Sequence, residues 1–351
     1  MDIEIDFLRN NGARRVRAHI GPPTFGDEDN NGQSEEKEES KVDLSCEESP
    51  NNWFAKNTKQ TKRSGTWSYR PERFIDGKDV GRTVSWLRSP QGYPVPVRLS
   101  QIGAVVMRNE KGKLRREFSV VERVVSLAVD FFPWNEVENF ARGLKENEFR
   151  LLICQPLKNG WSFDFERMRR ATQNRSLDEM TRLEKQALAL ASDIPTLVDG
   201  RLKPRSGAFN HESTPVIGMI KTLRNIPLHP QGWKVFYDLK PGERTPAFIM
   251  HEDHISVLTW YLRITGGNDE LPNWGIIRLE IPLKFFTNEL NGEWGHIDQY
   301  SQLVCDYRCR DQGYSRAPVS VYPIQRAEES LGAVFSDSDR LINHFYHLTG
   351  L

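Results

Sequence analysis

Two aspartates stand in the same local setting far apart in the chain: Asp76 in "RFIDGKD" (73–79) and Asp199 in "TLVDGRL" (196–202). In an extended chain each shares a face with the apolar residue two positions earlier, Phe74 or Leu197, so each carboxylate is expected at a strand end beside buried hydrocarbon. The glycine that follows, Gly77 or Gly200, permits a tight turn or the close approach of another group. Either Asp-Gly pair taken alone is equally a turn dipeptide. A third acid changes the balance. Between residues 165 and 193, Leu177, Met180, Ala187, Leu188 and Ala191 recur at three- and four-residue spacing, and Glu184 falls among them. Burying an unpaired carboxylate costs several kcal/mol, so Glu184 must be protonated, paired with a cation such as Arg169 or Lys221, or bound to metal. Glu166 and Glu179 are expected to project elsewhere as solvated helix charges. Two strand-end aspartates and one inward glutamate form an oxygen-rich set that suits Mg2+ or Mn2+ better than zinc. The matching chemistry is hydrolysis of a phosphodiester, with the ion polarising the ester, activating water and steadying the departing oxygen.

The elements that must carry these residues read as α/β. Strand-like runs cover 73–76, 93–108 (Val95, Val97 and Leu99 alternate), 122–132 and 149–157. A helical period without Pro or Gly then fills 165–193 and ends before Pro195, giving a helical insertion over about 160–193. Strands at 196–199, 214–222, 256–264 and 273–283 follow. Residues 21–60 are rich in Glu, Asp, Asn, Ser and Gly, and they are expected to be disordered because they bury too little apolar surface to offset the entropy of ordering. The chain therefore divides into a largely disordered acidic segment, 1–60, and a folded domain, 61–351. The alternating "MDIEIDFL" and "RRVRAHI" within the first segment suit an added strand or a grip on a partner.

Lys plus Arg equal Asp plus Glu at 48 each, yet residues 26–50 hold ten acidic and two basic residues. The rest carries 46 basic against 38 acidic side chains, a mild excess that suits nucleic acid. Four cysteines (Cys46, Cys154, Cys305, Cys309) are too few for a disulfide framework; with no signal-peptide pattern and no run long enough to span a bilayer, a cytoplasmic protein is expected. Cys305 and Cys309 read as ordinary thiols on a strand or loop. No Walker A, GxGxxG or GxSxG motif occurs, which disfavours P-loop hydrolases, dinucleotide enzymes and serine hydrolases. "MHEDH" (250–254) reads as a polar turn. In "KNTKQTKRSGTWSYRPERF" (56–74), basic side chains could track phosphates while Trp67 and Tyr69 offer stacking faces, and a plain charged linker fits equally.

Taken in order, "FIDGKDVGRTV", "LEKQALAL", "LVDGRL", "PVIGMIKTLRN", "WYLRI", "IIRLEIP" and "VYPIQRAEE" resemble the NurA nuclease family over about residues 70–340. The resemblance implies an RNase H-like mixed sheet flanked by helices, Mn-dependent cleavage of DNA, a homodimer, and work with a HerA-type hexameric translocase in DNA end processing or anti-phage defence. It makes Asp76, Glu184 and Asp199 metal ligands, with Glu179 the alternative should the helix alignment slip by a turn. Lys221 would contact phosphate, and Tyr322 would match the family tyrosine. The family pattern has a His eight residues after that tyrosine, where this chain has Ser330; Glu329, His344 and His347 are the candidates to replace it. That departure keeps open a catalytically weakened DNA-binding or assembly subunit. A PIWI-type protein sharing the core topology also stays open.

Overall fold

The structure, a computed structural model, describes residues 6–16, 41–60, 67–154, 165–202, 213–223, 225–252, 255–266, 272–310 and 319–351. In chain order its elements are α1 (Phe7–Asn10), β1 (Arg14–Arg15), β2 (Lys41–Asp43), β3 (Lys56–Asn57), β4 (Arg73–Arg88), β5 (Pro94–Glu110) and β6 (Lys113–Leu127). Then come α2 (Trp134–Glu146), β7 (Phe149–Ile153), α3 (Phe165–Ala189), β8 (Thr196–Asp199), β9 (Val216–Ile220) and α4 (Pro230–Asp238). The chain closes with β10 (Glu243–Arg244), β11 (Phe248–Glu252), β12 (Ile255–Arg263), β13 (Ile276–Pro282), α5 (Leu283–Asn288), α6 (Gly295–Tyr307), α7 (Tyr322–Gly332) and α8 (Ser338–Leu348).

One mixed sheet runs β2-β11-β12-β13-β9-β8-β4-β5-β6-β7, with β1 on β4 and β10 bridging β12 and β3. Its centre is an antiparallel meander, β4-β5-β6, with β8 added in parallel beside β4 and β9 in parallel beside β8. This is the mixed sheet flanked by helices that the sequence led us to expect. The β5–β6 turn is two residues long, and Lys111 (φ 51°) and Gly112 (φ 84°) take the left-handed conformations that a twisted hairpin favours.

Strand alternation sends successive residues to opposite helical layers. Phe74, Leu197, Ile217, Met219 and Leu279 pack under α5, α6 and α7, through Phe285, Tyr300, Ile324, Ala327 and Leu331. Ile75, Val198, Val216 and Ile276 face the other way, toward α3 and α4, through Ala187, Leu188, Val235 and Phe236. Burial on both faces explains why β8, β9 and β13 read as near-continuous apolar runs. The stretch read as a helical insertion is a single 25-residue helix lying along the sheet. Its buried line is Met168, Thr172, Ser176, Glu179, Leu183 and Ala187, whereas Leu177 and Met180, expected at the centre of the stripe, lie at its flank.

Part of the segment expected to be disordered is packed. Over residues 41–60, β2 pairs with β11, Trp53 is 2% exposed, and Arg244 grips Glu47 with two hydrogen bonds of 2.7 and 2.9 Å. Composition averaged over a window conceals such anchors: one buried indole and one desolvated ion pair suffice to order a polar loop. The remainder of that acidic stretch, 17–40, lies outside the described residues. Within "RRVRAHI", Arg14 and Arg15 form the short strand on β4, and the tail of that motif also lies outside them. Among the described residues, no helix is long and apolar enough to cross a membrane.

Candidate metal centre

Asp76 and Asp199 come to the same place because β4 and β8 run side by side in parallel, with Phe74 opposite Leu197 and Ile75 opposite Val198. Each aspartate follows on the face turned toward α7. From that helix Glu328 projects inward, four residues after buried Ile324 and three before buried Leu331. Ligand oxygens of Asp76, Asp199 and Glu328 all lie within 4.8 Å of one another. Gly103 lets α7 settle this close: a Cβ there would stand 2.8 Å from the Val120 carbonyl, 2.9 Å from Phe335 and 3.0 Å from Leu331.

Glu184 arrives from the opposite layer. Its side chain lies over Gly77, where a Cβ would sit only 2.5 Å from Oε1 and 2.7 Å from Cδ. Asp76 and Gly77 lie within β4 and not at a strand end as expected, and this glycine is the opening through which α3 brings an acid up to the sheet. Buried polar contacts fix the register of α3 on β4 at both ends. Ser176 donates to Asp79 at 2.7 Å, with Arg98 completing the group at 3.2 Å, and Arg73 donates to the carbonyls of Ala187 and Ala191 at 3.0 Å each. Glu184 lies between these two clamps.

The electrostatics match a site built for a cation. Asp76 is 4% exposed, and its Oδ2 has no hydrogen-bond partner among the described residues. Burial, followed by the charges of Asp199, Glu328 and Glu184, holds its carboxyl well above the usual carboxylate range, opposed by Lys221. Burial, then Asp199, pushes the Glu184 carboxyl up to about 8. The ammonium of Lys221 lies 2.7 Å from Asp199 Oδ2 and 3.9 Å from Glu328 Oε1. Lys221 falls two residues beyond Met219, the register partner of Asp199, and so shares its face. Asp76, Asp199, Glu184 and Lys221, expected from the sequence, are therefore brought together.

Other expectations resolve differently. Tyr322 opens α7, is 52% exposed, and stands about 9 Å along the helix axis from Glu328, outside the acid cluster. Glu179 is not a solvated charge: it is 4% exposed and held by Arg150 (2.6 Å), Arg175 (3.1 Å) and Arg182, away from the site. Arg169 pairs with Glu166 and not with Glu184. None of the three candidates for the role left by Ser330 reaches the cluster. Glu329 is exposed and pairs with Arg326, His344 stacks on Phe149, and His347 is exposed. The acid supplied by α7 is Glu328, which the sequence reading missed. Trp67 and Tyr69 are not free stacking faces, since they pack on the core and bond to His296 and the Glu289 carbonyl, each at 3.1 Å. Of "MHEDH", residues 250–252 belong to β11 and the last two lie outside the described residues. Cys305 lies on α6, and buried Cys309 contacts the Gln325 side-chain oxygen at 2.9 Å.

No family model matches the sequence, and no curated protein matches it. Among solved structures, the chain is similar to the NurA nuclease from Sulfolobus solfataricus at 12% sequence identity, covering 83% of this chain and 91% of that one, with a TM-score of 0.44.

Proposed function

We propose that this protein is a divalent-cation-dependent nuclease that hydrolyses DNA phosphodiester bonds. One observation carries the reading: three carboxylates from β4, β8 and α7 converge within 4.8 Å, and the most buried of them has an oxygen with no hydrogen-bond partner among the described residues. Like charges this close are unfavourable without a cation, and an all-oxygen donor set selects Mg2+ or Mn2+. Asp76, Asp199 and Glu328 would hold the ion, with Glu184 facing it across Gly77. Once bound, the cation supplies Lewis acidity to a phosphodiester oxygen and to the attacking water.

The chain's own residues do the rest. Strand backbone fixes both aspartates, Asp76 within β4 and Asp199 at the end of β8, so the site is positioned before substrate arrives. Lys221, on the same face, offers positive charge to a phosphate. Glu184, whose carboxyl burial and Asp199 push up to about 8, can hold or pass a proton beside the cluster. Outside residues 26–50 the chain has 46 basic against 38 acidic side chains, which favours a polyanionic substrate. The choice of DNA, a homodimer, and delivery of the strand by a HerA-type hexameric ATPase come from the sequence resemblance and form part of the proposal.

The test is incubation with linear and circular DNA in Mn2+, Mg2+ or EDTA, using the wild type, Asp76→Asn and Asp199→Asn. Cutting by the wild type in Mn2+ or Mg2+, absent in EDTA and in both variants, is the expected result. Undiminished cutting by either variant would reject the site, and metal-independent binding without cutting would favour a DNA-binding subunit.

A further inference from the structure

Lys221 has a position that the nuclease reading leaves unexplained. A lysine that only neutralised substrate would extend toward the approaching phosphate. Here its ammonium is instead turned onto two of the three cage carboxylates, 2.7 Å from Asp199 and 3.9 Å from Glu328, and its side chain is only 14% exposed. Asp199 and Glu328 contact this ammonium, and its charge also acts on Asp76. The stem has the reach for two positions: it leaves the end of β9 on the same face as Asp199, and four methylenes can fold back onto the cluster or extend past it.

We infer that Lys221 is the resident counter-ion of the acid cluster, holding the position of the divalent cation in the metal-free protein and being expelled toward the substrate-binding face when that cation arrives. The inference rests on the metal-centre reading above and adds an order of events to it. An ammonium in contact with Asp199 and a divalent ion in the same cage repel strongly at this separation, so both cannot keep these positions. Loading the cation would therefore release a positive charge beside the site at the moment when a phosphate needs one. Substrate affinity is thereby tied to metal occupancy without any larger movement of the fold.

Two measurements on the full chain test this. In the first, lysines are acetylated with an N-hydroxysuccinimide ester and quantified by mass spectrometry, with and without Mn2+. Lys221 should become at least about tenfold more reactive with Mn2+, while Lys111 and Lys113, exposed at the β5–β6 turn, should not change. In the second, Mn2+ affinity is measured by calorimetry. Lys221→Met, with no ammonium to expel, should bind at least about tenfold more tightly than wild type, and Lys221→Arg should stay near the wild-type value. Mn2+ binding to the wild type with unchanged Lys221 reactivity and unchanged Lys221→Met affinity would overturn the inference and leave the metal centre standing. Failure of the wild type and both variants to bind Mn2+ would overturn the metal centre, and the inference with it.

Discussion

Replacing Glu184 with Gln should make the metal-free protein more stable while weakening its hold on a cation. In the folded chain the Glu184 carboxyl is pushed from an ordinary 4.5 up to about 8, first by burial and then by Asp199. The unfolded chain ionises this group near 4.5, whereas the folded chain keeps its proton to about 8. The stability associated with that proton is full below pH 4.5 and is lost as pH rises to about 8. At about 1.4 kcal/mol per pH unit this amounts to at most about 5 kcal/mol, and the partial exposure of Glu184 reduces it to about 3. Gln has the shape of the protonated acid and cannot ionise. Its advantage should therefore be near zero at pH 4.5 and about 3 kcal/mol at pH 8, or roughly 4 °C in melting temperature for a chain of this length. The assay is denaturant unfolding in EDTA across pH 4.5–8, repeated at pH 8 with Mn2+. Wild type should fall away from the variant as pH rises, then regain ground when Mn2+ is added. Superimposable pH profiles, or a variant less stable than wild type at pH 8 in EDTA, would refute the reasoning.

Further outcomes follow from the same geometry. Asp76→Asn and Asp199→Asn, which keep side-chain volume, should retain the wild-type circular dichroism spectrum and lose the rise in melting temperature that Mn2+ gives the wild type. Gly77→Ala forces the flexible end of Glu184 aside and not the backbone, so calorimetry should show weaker Mn2+ binding with less than about 1 kcal/mol change in metal-free stability. Gly103→Val pushes on a backbone carbonyl, on Leu331 of α7 and on Phe335 just after it; it should cost about 1–3 kcal/mol in denaturant unfolding and also weaken Mn2+ binding, because Glu328 is carried on that helix. Asp79→Ala leaves Arg98 buried without its carboxylate and should cost about 3–5 kcal/mol by the same method.

The two aspartates were legible because strand alternation is a strict rule: Phe74 with Asp76 and Leu197 with Asp199 read as pairs on one face, and they are. What brings them together, the parallel pairing of β4 with β8 across more than a hundred residues, comes from no local pattern. Glu184 was found through the periodicity of α3, although the stripe was placed about one residue too far round. The buried line of that helix is unusually polar: Thr172 donates to the Arg169 carbonyl, Ser176 donates to Asp79, and Glu179 accepts from three arginines. An apolar stripe is a poor guide where buried polar groups find partners that are distant in sequence.

Glu328 shows the opposite failure. Ile324, Ala327 and Leu331 mark a helical face, and Glu328 lies in it by the same three- and four-residue spacing that singled out Glu184. The spacing carries that signal, and the family resemblance obscures it by pointing to Ser330, where the family pattern has histidine, and to the neighbouring Glu329. The packed loop over 41–60 was hidden for another reason, since Glu47 is buried against Arg244 and the Ala247 backbone, some two hundred residues later.

The account stands most directly on whether the three carboxylates hold a divalent ion. A crystal of the wild-type protein soaked in Mn2+, with diffraction collected near the manganese absorption edge, would locate the ion by its anomalous signal. The account predicts a peak within coordination distance of Asp76, Asp199 and Glu328, absent from crystals of Asp76→Asn. A cluster without a peak at saturating Mn2+, or with its three carboxylates turned away from one another, would contradict it.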